Sequence, residues 1–116
     1  MVELVIKEYR FGRIKIGDDV YIKDVIIHKG KVYANWWRKE GHNLVPEDLE
    51  IILKDPPKVL VIGTGYSGLM RVPEETIKFL EKKGIKTIVK KTAEACQTYN
   101  ELFRKGKVSV VLHLTC

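Results

Sequence analysis

His113-Leu114-Thr115-Cys116, together with Cys96 earlier in the chain, holds the residues best suited to covalent chemistry. A cysteine nucleophile needs a histidine in hydrogen-bond contact and a third group that orients the histidine. Side chains alternate along a strand, so His113 and Thr115 point together and Cys116 points away. Cys96 reaches His113 only if its helix covers that face. Cys96, His113 and Cys116 are thus the candidate catalytic residues of a small enzyme. The competing reading is a buried histidine satisfied by a backbone carbonyl, plus two small buried thiols. Free cysteine is among the most buried residue types, so this second reading is preferred.

The second chemical signal is Lys58 to Met70, KVLVIGTGYSGLM. Val59 to Ile62 reads as a short strand buried on both faces, and Gly63-Thr64-Gly65 breaks it. Two glycines let the backbone turn sharply and leave a backbone-lined hollow at the carboxyl end of the strand, where open α/β sheets bind ligands. Gly63 to Gly68 also matches G-x-G-x-x-G. A dinucleotide site needs its helix to open inside that motif, and here Val72-Pro73 delays it. The next strand ends in Lys90-Lys91 rather than the ribose-binding acid. The expectation is therefore a glycine-lined pocket or a tight turn, with no dinucleotide cofactor.

Other chemistries read weakly. Among His28, His42, His113, Cys96 and Cys116 one pair, His113 and Cys116, stands at i, i+3, and it falls in an expected strand, where that spacing puts the two side chains on opposite faces, so no metal site is expected. Trp36-Trp37-Arg38 closes an expected strand, where adjacent residues face opposite sides. One indole can pack inward while the other faces out as an anchor for a protein partner; the equal alternative is that both cap core layers. Thr92 is expected to cap a helix.

These residues need a scaffold. Val2 to Ile6, Gly12 to Ile16, Val20 to His28 and Lys31 to Trp37 read as strands, with Lys29-Gly30 as a tight hairpin turn. Pro46 to Ile52 reads as a short helical turn with acids at its start. From Lys58 the pattern becomes β-α-β-α-β. A strand at Val59 to Ile62 is followed by a helix over Pro73 to Lys83 that Gly84 and Ile85 terminate. A strand over Ile85 to Val89, a helix over Ala93 to Lys105 and a strand over Lys107 to Cys116 follow. The expected organisation is one domain over residues 1–116, with a β-hairpin region (1–45) and the β-α-β-α-β region (58–116).

Composition bounds the function. The 116 residues are 45% apolar and 31% charged, which suits one folded core. The net charge is +6, yet the lysines are mixed with acids, as in Lys39-Glu40 and Glu81-Lys82-Lys83. That pattern reads as a solvated, ion-pair-rich surface rather than a nucleic-acid face. Abundant Lys, Glu, Ile and Val beside one glutamine is thermophile-like. No apolar run has the length of a membrane span, and the N-terminus lacks the layout of a signal peptide, so a cytoplasmic location is expected. The two cysteines match no zinc or redox spacing.

Together, Phe11-Gly12-Arg13-Ile14, Asp24-Val25-Ile26-Ile27, Trp37-Arg38 with Gly41-His42, Gly63-Thr64-Gly65, Thr92 with Ala95, Tyr99-Asn100 and His113 to Cys116 carry a resemblance. The chain resembles the small domain-of-unknown-function family of archaeal and bacterial proteins that includes the mitochondrial NADH dehydrogenase (complex I) assembly factor three and the adipogenesis-associated domain protein of animals. The resemblance implies a three-layer α/β fold: a central mixed five-stranded sheet, helices on one side and a small N-terminal β layer on the other. It also implies that the Gly63-Thr64-Gly65 turn lines a cleft, and that the animal members act through protein partners. It supplies no reaction.

The resulting expectation is a non-enzymatic binding or assembly-factor-like module. Gly63, Thr64 and Gly65 would hold a small molecule or anion, with the Thr64 hydroxyl and the loop amides donating. Arg38, Thr92 and His113 would form a polar rim, and Trp36 and Trp37 would meet a partner. The alternative is the small enzyme using a cysteine and His113.

Overall fold

The computed structural model describes residues 4–116. Among them, eight strands form two sheets. Strands β1 (Ile6–Arg10), β2 (Arg13–Ile16) and β3 (Asp19–Tyr21) make a small antiparallel sheet in the order β1-β2-β3. The five-stranded sheet is built from β4 (Val25–His28), β5 (Lys31–Tyr33), β6 (Val59–Gly63), β7 (Lys86–Lys90) and β8 (Val108–Leu112), in the order β5-β4-β8-β6-β7. β6 runs parallel to both β7 and β8, whereas β4 is antiparallel to β5 and β8, so the sheet is mixed. The helices are α1 (Glu50–Lys54), which continues a 3-10 turn over Pro46–Leu49, α2 (Glu74–Lys82) and α3 (Thr92–Leu102).

Both faces of the large sheet are buried, which is why β4, β6 and β8 read as near-continuous apolar runs. Ile26, Leu60, Ile62 and Val111 pack against Leu49 and Ile52 near α1 and Leu80 of α2. On the opposite face Val25, Ile27, Val61, Val110 and Leu112 pack against Ile14 and Ile16 of the small sheet and Ala95 and Tyr99 of α3. Each fully buried Leu or Ile contributes about 1.5 to 3 kcal/mol.

The three-layer α/β class is as expected, and handedness distributes the helices. A strand-helix-strand crossover between parallel strands is right-handed. The chain steps outward from β6 to β7 through α2, then returns past β6 to β8 through α3. Reversing direction across the sheet moves the helix to the other face. Accordingly α3 lies beside the small sheet, not with α1 and α2 as a one-sided helical layer would require.

Other boundaries shift for local reasons. The first strand begins at Ile6, not Val2; the expected start lies outside the described residues. Val20 to His28 is two strands in two sheets, separated at Ile22-Lys23-Asp24. The apolar residues that suggested one covered strand include Val20 and Ile22, which are 45% and 71% exposed. β5 ends at Tyr33, so Trp36 and Trp37 stand in the following loop. β8 ends at Leu112, and His113 to Cys116 continue outside the sheet.

The stop signal of α2 forms as expected. Gly84 has φ +82° and its amide donates to Glu81; the Ile85 amide donates to Leu80, and Leu80 and Ile85 share one core.

Candidate functional site

The carboxyl ends of β6 and β8 and the start of β4 come together at one end of the sheet. Most of the residues singled out in the sequence converge here, in two adjoining groups.

The first group is the glycine turn, and its geometry corrects the expected hollow. A β-carbon on Gly63 would lie 2.8 Å from Leu112 Cδ2 and 3.0 Å from Thr92 Oγ1. One on Gly65 would lie 2.4 Å from the carbonyl carbon of Cys116. The space is filled by the chain's own closing segment. The loop amides are engaged too: Thr64 donates to Lys90, Tyr66 to Thr115, Leu69 to Cys116 and Met70 to Thr64, all to carbonyls. Gly65 N–H donates to Thr92 Oγ1 at 2.8 Å. The Thr64 hydroxyl donates to the Lys90 carbonyl at 3.1 Å rather than to a guest. Thr92 is fully buried and opens α3 rather than capping it; its hydroxyl donates to the His113 carbonyl at 2.6 Å. The glycines are there for close backbone approach.

The second group is a buried polar cluster around Asp24. Arg38 Nη1 donates to Asp24 Oδ2 at 2.6 Å, and the Leu114 amide donates to Asp24 Oδ1 at 2.7 Å. Nδ1 of His113 lies 2.8 Å from Asp24 Oδ2 and 3.0 Å from Arg38 Nη2. One ring nitrogen cannot donate to the carboxylate and accept from the guanidinium at once. An Nδ1–H on His113 satisfies Asp24, and Arg38 Nη2 then donates to the Gly41 carbonyl at 2.9 Å. Burial alone would raise the Asp24 carboxyl; hydrogen bonds from His113, the Leu114 amide and Arg38 outweigh it and hold the group below its ordinary value. The Arg38 guanidinium also stacks 4.8 Å from the Trp36 ring centroid, and the His113 ring meets His42 edge-on at 5.8 Å.

His113 joins the two groups. Its ring belongs to the Asp24 cluster, while its amide donates to the Gly63 carbonyl at 3.1 Å. Arg38 and His113 are therefore neighbours in a largely buried ion-pair cluster, whose Asp24 borders the concavity that runs toward Ile22 and Thr115. A carboxylate on Nδ1 fixes the imidazole tautomer, and His113 Nε2 is buried with no partner among the described residues. That half of an acid–base pair has no nucleophile beside it. Cys96 lies on the core-facing side of α3, where burial pushes its thiol up to about 12, and it makes no hydrogen bond to His113 among the described residues. Cys116 is exposed and likewise makes none.

Asp24, at the centre of this cluster, stands in the sequence reading only within a motif and not as a candidate site residue. Its local signal is the charged pair Lys23-Asp24 interrupting an otherwise apolar stretch.

The third feature is the loop after β5. Trp36 is half-buried, with Nε1 donating to the Asp48 carbonyl at 2.9 Å. Trp37 is 75% exposed. One indole packs in and one faces out, from a loop and not through the alternation of a strand. The pair stands between two concavities: about 810 Å³ running toward Tyr33 and Ile51, and about 560 Å³ running toward Ile22 and Thr115. No helix among the described residues is long and apolar enough to cross a membrane.

Comparison with known proteins agrees with this architecture. A conserved hypothetical protein of Pyrococcus horikoshii OT3 is 31% identical and superposes with a TM-score of 0.82, over 96% of this chain and 98% of that one. A Bartonella henselae protein described as an outer membrane protein is 27% identical, with a TM-score of 0.83, over 98% and 97% of the two chains. The NADH dehydrogenase [ubiquinone] 1 alpha subcomplex assembly factor 3 of Xenopus tropicalis is 31% identical over 98 residues. This match covers 84% of the chain but 53% of that relative, so the chain spans about half its length. The model of a family described as "Protein of unknown function (DUF498/DUF598)" matches residues 6–114, and the chain belongs to that family.

Proposed function

We propose that the chain is a non-enzymatic module that binds another protein through the loop carrying Trp36 and Trp37, in the manner of an assembly factor. One observation carries the reading: an indole exposed to 75% on a backbone that the neighbouring cluster holds in place. Trp36 is tied to Asp48 and stacked on Arg38, and Arg38 is locked by Asp24. The Trp36 amide also donates to the Asp24 carbonyl at 2.8 Å. A rigid aromatic beside concave ground loses little conformational entropy on docking and is a typical hot spot. The name of the Xenopus relative as an assembly factor supports the same class of function.

The test is retention of protein partners from the native host by the immobilised chain and by Trp37→Ala. Loss of a reproducible partner with Trp37→Ala, at unchanged thermal stability, is expected. Retention by Trp37→Ala equal to that of the parent chain overturns the docking reading.

A further inference from the structure

The larger groove beside Trp36 and Trp37 is bounded by an unpaired sheet edge, and that edge defines what fits. β5 ends the five-stranded sheet, and among the described residues no strand pairs with its outer side. The hairpin between β4 and β5 has the two-residue loop Lys29-Gly30, with φ +50° and +75°. A two-residue loop with both φ positive is closed by a hydrogen-bonded pair, here His28 and Lys31. Alternation then gives Tyr33 the next bonded pairing with Ile26 and turns the N–H and C=O of Val32 outward. Ala34 lies two residues on, is exposed, and borders the groove together with Val32.

The two free edges differ. β7 carries Lys86 and Lys90, the kind of charge that discourages strand pairing. β5 has a lysine only at its hairpin end, Lys31, whose Nζ lies 5.3 Å from the Tyr33 ring centroid, and Val32, Tyr33 and Ala34 beyond it carry no charge. The charge around the groove also runs against that of the chain. The protein is +6 overall, yet Glu47, Asp48 and Glu50 face Lys39 across this one cavity. Asp48 is occupied by the amides of Lys39 and Val45, and Glu50 lies 3.5 Å from Lys54. Glu47 makes no ion pair among the described residues.

Building on the docking reading above, we propose that the partner contributes an extended basic segment that adds as a strand along β5. Its main chain pairs with the outward amides and carbonyls of Val32 and Ala34. Alternate side chains enter the groove, where the stem of an arginine or lysine covers Tyr33 and Ile51 and its charged head meets Glu47 and Glu50. The intervening residues lie on the Val32 face and are apolar.

The probes are synthetic peptides alternating valine with arginine, the same design with glutamate, and the arginine peptide N-methylated at alternate amides, each titrated into the full isotope-labelled chain. The arginine peptide is expected to shift the Val32 and Ala34 amide resonances and slow their exchange. It is expected to bind at least about tenfold tighter than the glutamate peptide, the effect of two modest ion pairs. Glu47→Lys with Glu50→Lys reverses that preference, and N-methylation removes binding. Equal affinity for both peptides, or unmoved Val32 and Ala34 amides, overturns strand addition. So does a concentration-dependent dimer that protects those same amides, which would make a second copy the occupant. Failure here alongside loss of the native partner by Trp37→Ala removes only the strand geometry. Peptide binding alongside an unaffected native partner removes the docking reading and keeps the groove.

Discussion

A β-carbon placed on Gly65 would lie 2.4 Å from the carbonyl carbon of Cys116, well inside any tolerable contact. Gly65 also has φ +110°, a conformation that side chains rarely adopt. The two strongest local signals in the sequence, the glycine motif and the His-Leu-Thr-Cys segment, are thus two halves of one closure.

Gly65→Ala is expected to lose at least about 3 kcal/mol, from steric displacement of the Cys116 carbonyl plus positive-φ strain. Gly41→Ala is the control: nothing lies within 4 Å of its β-carbon position and its φ is ordinary. Its stability should change by less than about 0.5 kcal/mol in urea unfolding. Equal effects of the two substitutions would contradict the closure.

Asp24→Asn removes the charge that faces Arg38, whose side chain is 5% exposed. Leaving one member of a buried pair unmatched costs about 3 kcal/mol, enough to lower Tm by more than about 10 °C in a domain of this size. Differential scanning calorimetry measures it.

Stability should fall with pH in two stages. Burial, then the charge of Lys29, holds the His28 imidazole below its ordinary value, with Asp55 partly opposing. The unfolded chain therefore takes up that proton first. This contribution is complete above about pH 6.5 and declines as pH drops from there toward the folded value. Asp24, also held low, contributes fully above about pH 3.9 and is lost as pH falls through its folded value. His28 Nδ1 lies 2.6 Å from Ser109 Oγ, so His28→Leu with Ser109→Ala replaces both partners. Urea unfolding across pH should show the first decline abolished and the second retained.

The cysteines should react unequally. With its thiol pushed up to about 12, Cys96 stays protonated and buried, whereas Cys116 is exposed. A thiol reagent at neutral pH should modify one cysteine in the folded chain and both in denaturant. Mass spectrometry identifies which.

Trp36→Ala should lower stability by about 2 kcal/mol through loss of packing and of the Arg38 stack. Trp37→Ala should leave it nearly unchanged. Thermal melts of the two variants separate the structural indole from the surface one.

Much of the fold was legible because it rests on local rules. β6 announces itself as an apolar run, and Gly84-Ile85 marks the end of α2 through hydrogen bonds that involve only nearby residues. The break between β3 and β4 was hidden because exposed Val20 and Ile22 imitate core positions. The polar cluster was hidden for another reason. Asp24 meets Arg38 14 positions away, His113 89 away and Leu114 90 away. No spacing rule spans such separations. The glycine turn was recognised as a place of close approach, but what approaches it is set by where β8 delivers the residues after it.

β8 is the eighth strand in chain order, yet it lies in the middle of the sheet, between β4 and β6. Until it is inserted, the hairpin half and the β6-α2-β7 half share no ladder. A growing polypeptide would carry two exposed sheet margins until Val108–Leu112 emerges, then weld them in a single step. Any truncation before Val108 should leave two fragments of a core rather than a smaller version of the protein.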